Sequence, residues 1–416
     1  MGLTEVKTPR RNLSDYEVFV GEKEINEIRR LAELLRGKKI LHINTTSFGG
    51  GVAEILSTSV PLMNDLGLDA RWMVLTAPNE FFQVTKAFHN SLQGQKISLT
   101  DDMKKIYLEY NRLVAHSLFE ESDFVIVHDP QPLAIVDFLR EKRGKWIWRC
   151  HIDATTAYDE VWDFLNPYMQ KYDALVFTMD EFIKDKATNL PPTYFIPPSI
   201  DPLHPKNVLL SHEEVDRIIA SYSVDPSRPI ITQVSRFDPW KDPLGVVDIY
   251  RALKKDFPAL QLVFIASMAH DDPEGWVIYD RVMRRIGEDF DAHILTNFQN
   301  VGNVAVNAFQ RGSDVGLQKS IREGFGLTVT ETLWKETPVV GGNVGGIKLQ
   351  ITDGLNGFLV TTVEEAVERV RLLLQDRDKA RAMGKKGREI VGKNFLCTRQ
   401  LKDALNLFNN LMGSQS

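Results

Sequence analysis

Cysteine is scarce in this sequence: Cys150 and Cys397 are the two in 416 residues, and they lie far apart. That spacing supports neither a disulfide framework nor a cysteine-based metal cluster. Long apolar runs are also missing. None reaches the roughly 20 residues that a membrane-spanning helix needs, and the stretch from Met1 to Arg11 has no apolar core of signal-peptide length. These absences set the expectation of a cytoplasmic protein with no membrane partner and no metal site. An excess of charge of one sign is lacking too. The 50 Lys and Arg against 56 Asp and Glu leave a formal net charge of −6, which argues against nucleic acid or an anionic membrane as the main partner. Any phosphate must therefore be bound by a local site. Nothing points to a tightly bound cofactor, and a homodimer is left open.

Hydrophobic residues at 43% and charged residues at 25% are ordinary globular values. A chain of this length suits two domains of about 200 residues, each able to bury its own core. Short apolar runs alternate with helical patterns from residue 39 to residue 375. The expected strands are Lys39–Asn44, Arg71–Leu75, Asp123–His128, Trp146–Cys150, Asp173–Thr178 and Thr193–Ile196, then Pro229–Val234, Leu260–Ala266, His293–Leu295, Asp314–Gln318, Thr337–Val340 and Gly357–Val360. Continuous apolar strands separated by helices indicate parallel sheets covered on both faces. The stiff stretch Pro197-Pro198-Ser199-Ile200-Asp201-Pro202 reads as an interdomain hinge. The expected domains are residues 1–200, residues 201–395, and a C-terminal helix over 396–416 that packs back on the first domain. Two apolar stripes mark that helical end: Val363, Ala366, Val367, Val370 and Leu373, then Leu401, Leu405, Phe408 and Met412. The first thirty-odd residues read as a charged peripheral helix.

Four segments can carry chemistry. Glu323-Gly324-Phe325-Gly326-Leu327-Thr328-Val329-Thr330-Glu331 follows a strand and opens a helix running to about Lys335. Its glycines let the backbone approach a ligand, and the free amides of a helix start can hold a phosphate. Glu323 and Glu331 would offer two acceptor groups at different depths, suited to the hydroxyls of a ligand with two sugars. The second segment, Ser235–Lys241, ends another strand and places Arg236 and Lys241 as two cations where open parallel sheets bind ligands. The third, Thr46–Glu54, holds the triplet Gly49-Gly50-Gly51. It lacks both the dinucleotide fingerprint and the P-loop lysine, so it is either a flexible turn or an anion cradle. The fourth is a pair of polar strand ends, His128-Asp129-Pro130-Gln131-Pro132 and Arg149-Cys150-His151-Ile152-Asp153. Their spacing matches no zinc pattern.

The pair Glu323 and Glu331, together with Arg236 and Lys241, resembles the retaining glycosyltransferases of family four. Segments 47–54, 81–94, 128–132, 146–153, 230–241, 268–276 and 320–331 look more narrowly like the trehalose glycosyltransferring synthases of archaea and bacteria, over essentially residues 35–410. The resemblance implies the GT-B fold: two Rossmann-like, doubly wound parallel-sheet domains facing a cleft. It also implies roles. Arg236 and Lys241 neutralise the departing diphosphate. Gly324, Phe325, Gly326 and Leu327, with Gly50 and Gly51, support the donor. Glu323 binds the donor glucose, Glu331 the ribose, and His151 approaches the reacting sugar. Glu54, Asp129, His151 and Asp153 surround the acceptor. Lys348 departs from the family, which often carries an acidic residue after the Gly345-Gly346 turn.

The activity implied is retaining formation of trehalose from a nucleoside-diphosphate glucose (UDP, ADP or GDP) and free glucose. A divalent cation such as Mg²⁺ is allowed as donor counter-ion. The alternatives are trehalose phosphorylase, another family-four disaccharide or glucoside synthase, or a catalytically silent sugar sensor.

Overall fold

Strands form where β-branched and aromatic residues cluster, and most end where a polar residue follows. The computed structural model describes residues 2–48, 50–118, 121–184, 189–268 and 273–413. Gly49 of the glycine triplet and residues 269–272 of the Met268–Trp276 segment lie outside the described residues. The chain divides into two compact units, Met1–Ser199 with Cys397–Ser416, and Ile200–Leu396.

In the first unit the strands are β1 (Gly2–Glu5), β2 (Lys39–Asn44), β3 (Asp69–Thr76), β4 (Phe124–His128), β5 (Lys145–Arg149), β6 (Ala174–Phe177) and β7 (Thr193–Phe195). They form one sheet in the order β1-β3-β2-β4-β5-β6-β7. All pairings are parallel except that of β1, which runs antiparallel to β3. The second unit carries β8 (Ile230–Val234), β9 (Gln261–Ala266), β10 (Ala292–Thr296), β11 (Val315–Gln318), β12 (Val339–Gly342) and β13 (Gly357–Val360). Their order is β10-β9-β8-β11-β12-β13, all parallel. Leaving β1 aside and numbering strands within each unit, the first sheet runs 2-1-3-4-5-6 and the second 3-2-1-4-5-6, both doubly wound orders. Each therefore reverses direction once, between β2 and β4 and between β8 and β11, and ligands in such sheets bind at that crevice beyond the strand carboxyl ends.

Helices on both faces cover mostly apolar strands, as in β4 and β9, where every residue is buried. Trp72, Trp148, Phe81 and Phe88 lie fully buried in the first unit, and Phe264, Phe309 and Tyr250 in the second. Each such side chain stabilises its unit by about 1.5–3 kcal/mol. The helix Cys397–Gly413 packs within the first unit. Its Lys402 pairs with Glu24 and Glu27 on the helix Glu22–Glu33, and its Phe408 meets Phe124 at 4.6 Å between ring centroids.

Three expectations need correction. The amino-terminal segment is not only a peripheral helix: Gly2–Glu5 adds the edge strand, held by Thr4–Thr76 and Glu5–Arg71 side-chain pairs. The expected strand Thr337–Val340 begins later and continues through Gly341 and Gly342. A Cβ on Gly342 would sit 2.0 Å from the carbonyl oxygen of Ser320, so only glycine lets this strand approach the loop after β11. Met412, in the last turn of the helix Cys397–Gly413, closes its stripe on the outside, at 37% exposure.

Candidate active site

In the second unit the site grows from the loops after β8 and β11, the two strands at the switch point. Asp238 caps a short 3₁₀ turn, Pro239–Lys241, by accepting from the Trp240 amide at 2.8 Å. Asp242 then takes a left-handed backbone (φ 47°) and caps the helix Pro243–Lys254. A Cβ on Gly245 would lie 2.3 Å from the Asp242 carboxylate, so this cap requires the glycine. The two loops are tied together at Trp240. Its carbonyl accepts from the Ile321 amide at 2.9 Å, and the Arg322 guanidinium sits 4.6 Å from its ring centroid.

This tie brings Lys241 Nζ to 2.7 Å from Glu323 Oε2, which Ser320 Oγ also contacts at 3.2 Å. Arg236 is 64% exposed at its side chain and stands 3.8 Å from Asp238, leaving its fork open to an anion. Gly326 adopts φ 82° and opens the helix Leu327–Trp334 without any side-chain cap, so the amides at its start stay available. The Gly345-Gly346 turn packs on the backbone of Glu323 and Gly324: a Cβ on Gly345 would meet the Glu323 carbonyl at 1.7 Å, and the Gly346 amide donates to the Gly324 carbonyl at 3.0 Å. Phe325 is buried beneath. Lys348 is exposed beyond that turn.

Glu331 lies deeper, 1% exposed. Lys206 Nζ is 3.2 Å from one of its oxygens and Gln310 Nε2 donates to the other at 3.2 Å. Beneath it Lys335 donates to Gln310 Oε1 at 2.8 Å, Asn207 Oδ1 at 3.0 Å and the Glu331 carbonyl at 3.0 Å. Burial lowers the Lys335 ammonium to about 7 against the opposing pull of Glu331. Lys206, Gln310 and Lys335 escaped the sequence reading. The i, i+4 spacing of Glu331 and Lys335 was the available signal.

In the first unit the polar residues sit after β2, β4 and β5, again around the switch point. The His151 amide donates to Asp129 Oδ1 at 2.8 Å. Asp129 holds φ 64°, a conformation Asp tolerates better than most residues, and its carbonyl accepts from Trp148 Nε1 at 2.8 Å. Burial raises the Asp129 carboxyl to about 7, despite the His151 amide bond. Asp153 is turned inward on its own loop, accepting from the Thr155 amide at 3.0 Å and its hydroxyl at 2.6 Å. Gly50 caps the helix Gly51–Asp65 with no side-chain bond, and Glu54 is exposed in its first turn. Arg149, the last residue of β5, turns away from this loop group and donates to the Ile196 carbonyl at 3.3 Å. Lys86 is exposed on the helix Asn79–Leu92.

A histidine row was missed by the sequence reading. His42 Nδ1 is 3.1 Å from His128 Nε2, and His128 Nδ1 is 3.0 Å from His151 Nε2. The signal was the imidazole of His42 set between the apolar residues Leu41 and Ile43 of β2. Burial drives all three below the ordinary histidine range, His42 to about 3, so the row is neutral at physiological pH.

Two doubly wound sheets, each with its polar residues gathered at the switch point, and a glycine turn bearing a paired cation and carboxylate define a glycosyltransferase of the GT-B fold. Residues 42–184 match the family model for the trehalose synthase N-terminal domain, and residues 214–390 that for glycosyl transferases group 1. The trehalose synthase of Thermococcus litoralis is 51% identical over 402 residues, covering 96% of this chain and 97% of that one. That of Rubrobacter xylanophilus is 49% identical over 416 residues, covering 99% and 100%. A UDP-forming α,α-trehalose-phosphate synthase from Burkholderia xenovorans shares the fold at a TM-score of 0.72 and 15% identity, over 90% of this chain and 99% of that one. The chain belongs to the trehalose synthase family of glycosyltransferases. No described helix is long and apolar enough to cross a membrane.

Proposed function

We propose that the protein forms trehalose by moving glucose from a nucleoside-diphosphate glucose to free glucose, with retention at the anomeric carbon. The observation that carries this reading is the Lys241–Glu323 contact of 2.7 Å beside the open Arg236 fork and the uncapped helix start. Breaking the glucosyl–phosphate bond sends its electron pair to the diphosphate. Arg236, Lys241 and the helix amides oppose charge that grows in the transition state, where stabilisation accelerates chemistry. Glu323 takes donor sugar hydroxyls while orienting Lys241. Ribose hydroxyls replace the Lys206 contact on Glu331.

In the first unit His151, Asp129, Asp153 and Glu54 bind sugar hydroxyls, and Gly50 and Gly51, at an uncapped helix start, contribute to donor binding. The acceptor hydroxyl attacks from the face the diphosphate leaves, and a phosphate oxygen takes its proton. UDP, ADP and GDP donors all fit this scheme, with a divalent cation such as Mg²⁺ as counter-ion, and cytoplasmic nucleotide pools would supply them. Incubating the protein with glucose and each nucleotide-glucose tests the reading. Trehalose and free nucleoside diphosphate in equal amounts support it. Trehalose cleavage that needs inorganic phosphate and no nucleotide would replace it with a phosphorylase.

A further inference from the structure

Parallel register puts His42 opposite Ile126 and His128 opposite Arg149. Alternation along β4 then sets His42, His128 and Arg149 on one face of the first sheet. That face overlies a cavity of about 30 Å³ lined by His42, Arg149, Ser59, Gln400 and otherwise mostly apolar side chains. His42 Nε2 is buried there with no hydrogen-bond partner among the described residues. At the other end of the row, His151 keeps a partly exposed edge.

A neutral imidazole has one N–H and one lone pair. Three such rings joined by two hydrogen bonds have only two arrangements that satisfy both bonds. In one, His42 Nδ1–H donates to His128, His128 Nδ1–H donates to His151, and His151 presents Nδ1–H outward. In the other every proton is shifted: His151 donates inward through Nε2–H, and His42 directs Nε2–H into the cavity. The ends decide between them. The second arrangement strands an N–H in a nearly apolar cavity beside the Arg149 cation, and an unmet buried donor is costly. The first places a lone pair beside that cation and the free N–H at the exposed end, where water or a sugar oxygen accepts it.

We infer that His42 and His128 are positioning residues which, with the charge of Arg149, hold His151 as its Nδ1–H tautomer. His151 then meets the sugar as a fixed neutral donor. The consequence for catalysis rests on the sugar contact proposed for His151, whereas the tautomer itself is a property of the resting protein.

The imidazole ¹⁵N spectrum of the full-length protein without sugar tests this, with His151 signals assigned by their loss in His151→Gln. The expected spectrum has His151 Nδ1 in the protonated range and Nε2 in the unprotonated range. A protonated Nε2, or an average of both tautomers, overturns the inference. Arg149→Lys should keep the tautomer, whereas His42→Phe should release His151 into a mixture; an unchanged single tautomer in His42→Phe overturns the positioning role. If that variant does not fold, the wild-type spectrum still decides. Unchanged turnover in His151→Gln would remove the sugar contact but leave the tautomer result standing.

Discussion

Lys241 Nζ and Glu323 Oε2 stand 2.7 Å apart across 82 residues of sequence, with side chains 19% and 10% exposed. Two loops after neighbouring strands meet here because Trp240, in the loop after β8, both accepts from the Ile321 amide and stacks with Arg322 in the loop after β11. Removing either partner leaves the other charge partly buried and unpaired.

Lys241→Met should therefore lose both turnover and stability. One lost donor to leaving-group charge costs roughly 3 kcal/mol, about a hundredfold in kcat. The stranded Glu323 should lower stability by on the order of 1–3 kcal/mol. Denaturant unfolding and single-turnover rates measure the two losses separately, and a near-normal rate would remove Lys241 from the diphosphate.

Arg236 makes the cleaner test, because its side chain is 64% exposed and contributes little to the fold. Arg236→Ala should leave stability within ~0.5 kcal/mol while lowering kcat by a similar factor to Lys241→Met. A stable variant with unchanged kcat contradicts the role; an unfolded one contradicts the geometry.

Glu331→Gln keeps the shape of the side chain but removes the charge facing Lys206. A ribose contact changes little between ground and transition state, so donor KM should rise more than kcat falls. A collapse of kcat at saturating donor with unchanged donor affinity would contradict the ribose assignment.

Lys335 carries a pH signature. Its ammonium sits at about 7 in the folded protein, against an ordinary value of 10.5. Between these values the unfolded chain binds more protons than the folded one, so this group makes stability rise with pH from about 7 to 10 and contributes no slope below 7. Lys335→Met removes the titration. Its thermal midpoint, plotted against pH, should climb less steeply than that of the wild type above pH 7. Parallel curves would mean that Lys335 titrates normally.

The sheets were largely legible in the sequence, since continuous apolar runs such as Phe124–His128 cannot be anything but buried strands once helices alternate with them. The edge strand Gly2–Glu5 was not. It has one apolar residue in four and is defined by its pairing with β3, which no local pattern reveals. Among site residues, those near a glycine turn or at a strand end were visible, including Glu323, Lys241 and His151. Lys206, Gln310 and Lys335 were hidden because their roles depend on a buried neighbour brought in from another element, with Lys206 lying 125 positions from Glu331. His42 was hidden for the opposite reason: its strand is ordinary, and only the register with β4 places it against His128.

Likeness to trehalose-phosphate synthases at 15% identity carries the fold and not the choice of sugar. In the first unit the loops Thr46–Glu54, His128–Pro132 and His151–Thr156 offer Glu54, Asp129 and Asp153 and no Lys or Arg. The nearest cation in sequence, Arg149, bonds the Ile196 carbonyl and lines the cavity beside His42. Carboxylates there suit neutral hydroxyls, and Asp129, raised to about 7, can donate as well as accept near neutral pH. A dianionic phosphate in such surroundings would need a cationic partner to offset its desolvation. Free glucose should therefore be used in preference to glucose 6-phosphate when both are supplied at equal concentration. Preferential formation of trehalose 6-phosphate would refute this, and Lys86, exposed on the helix Asn79–Leu92, would be the first residue to replace.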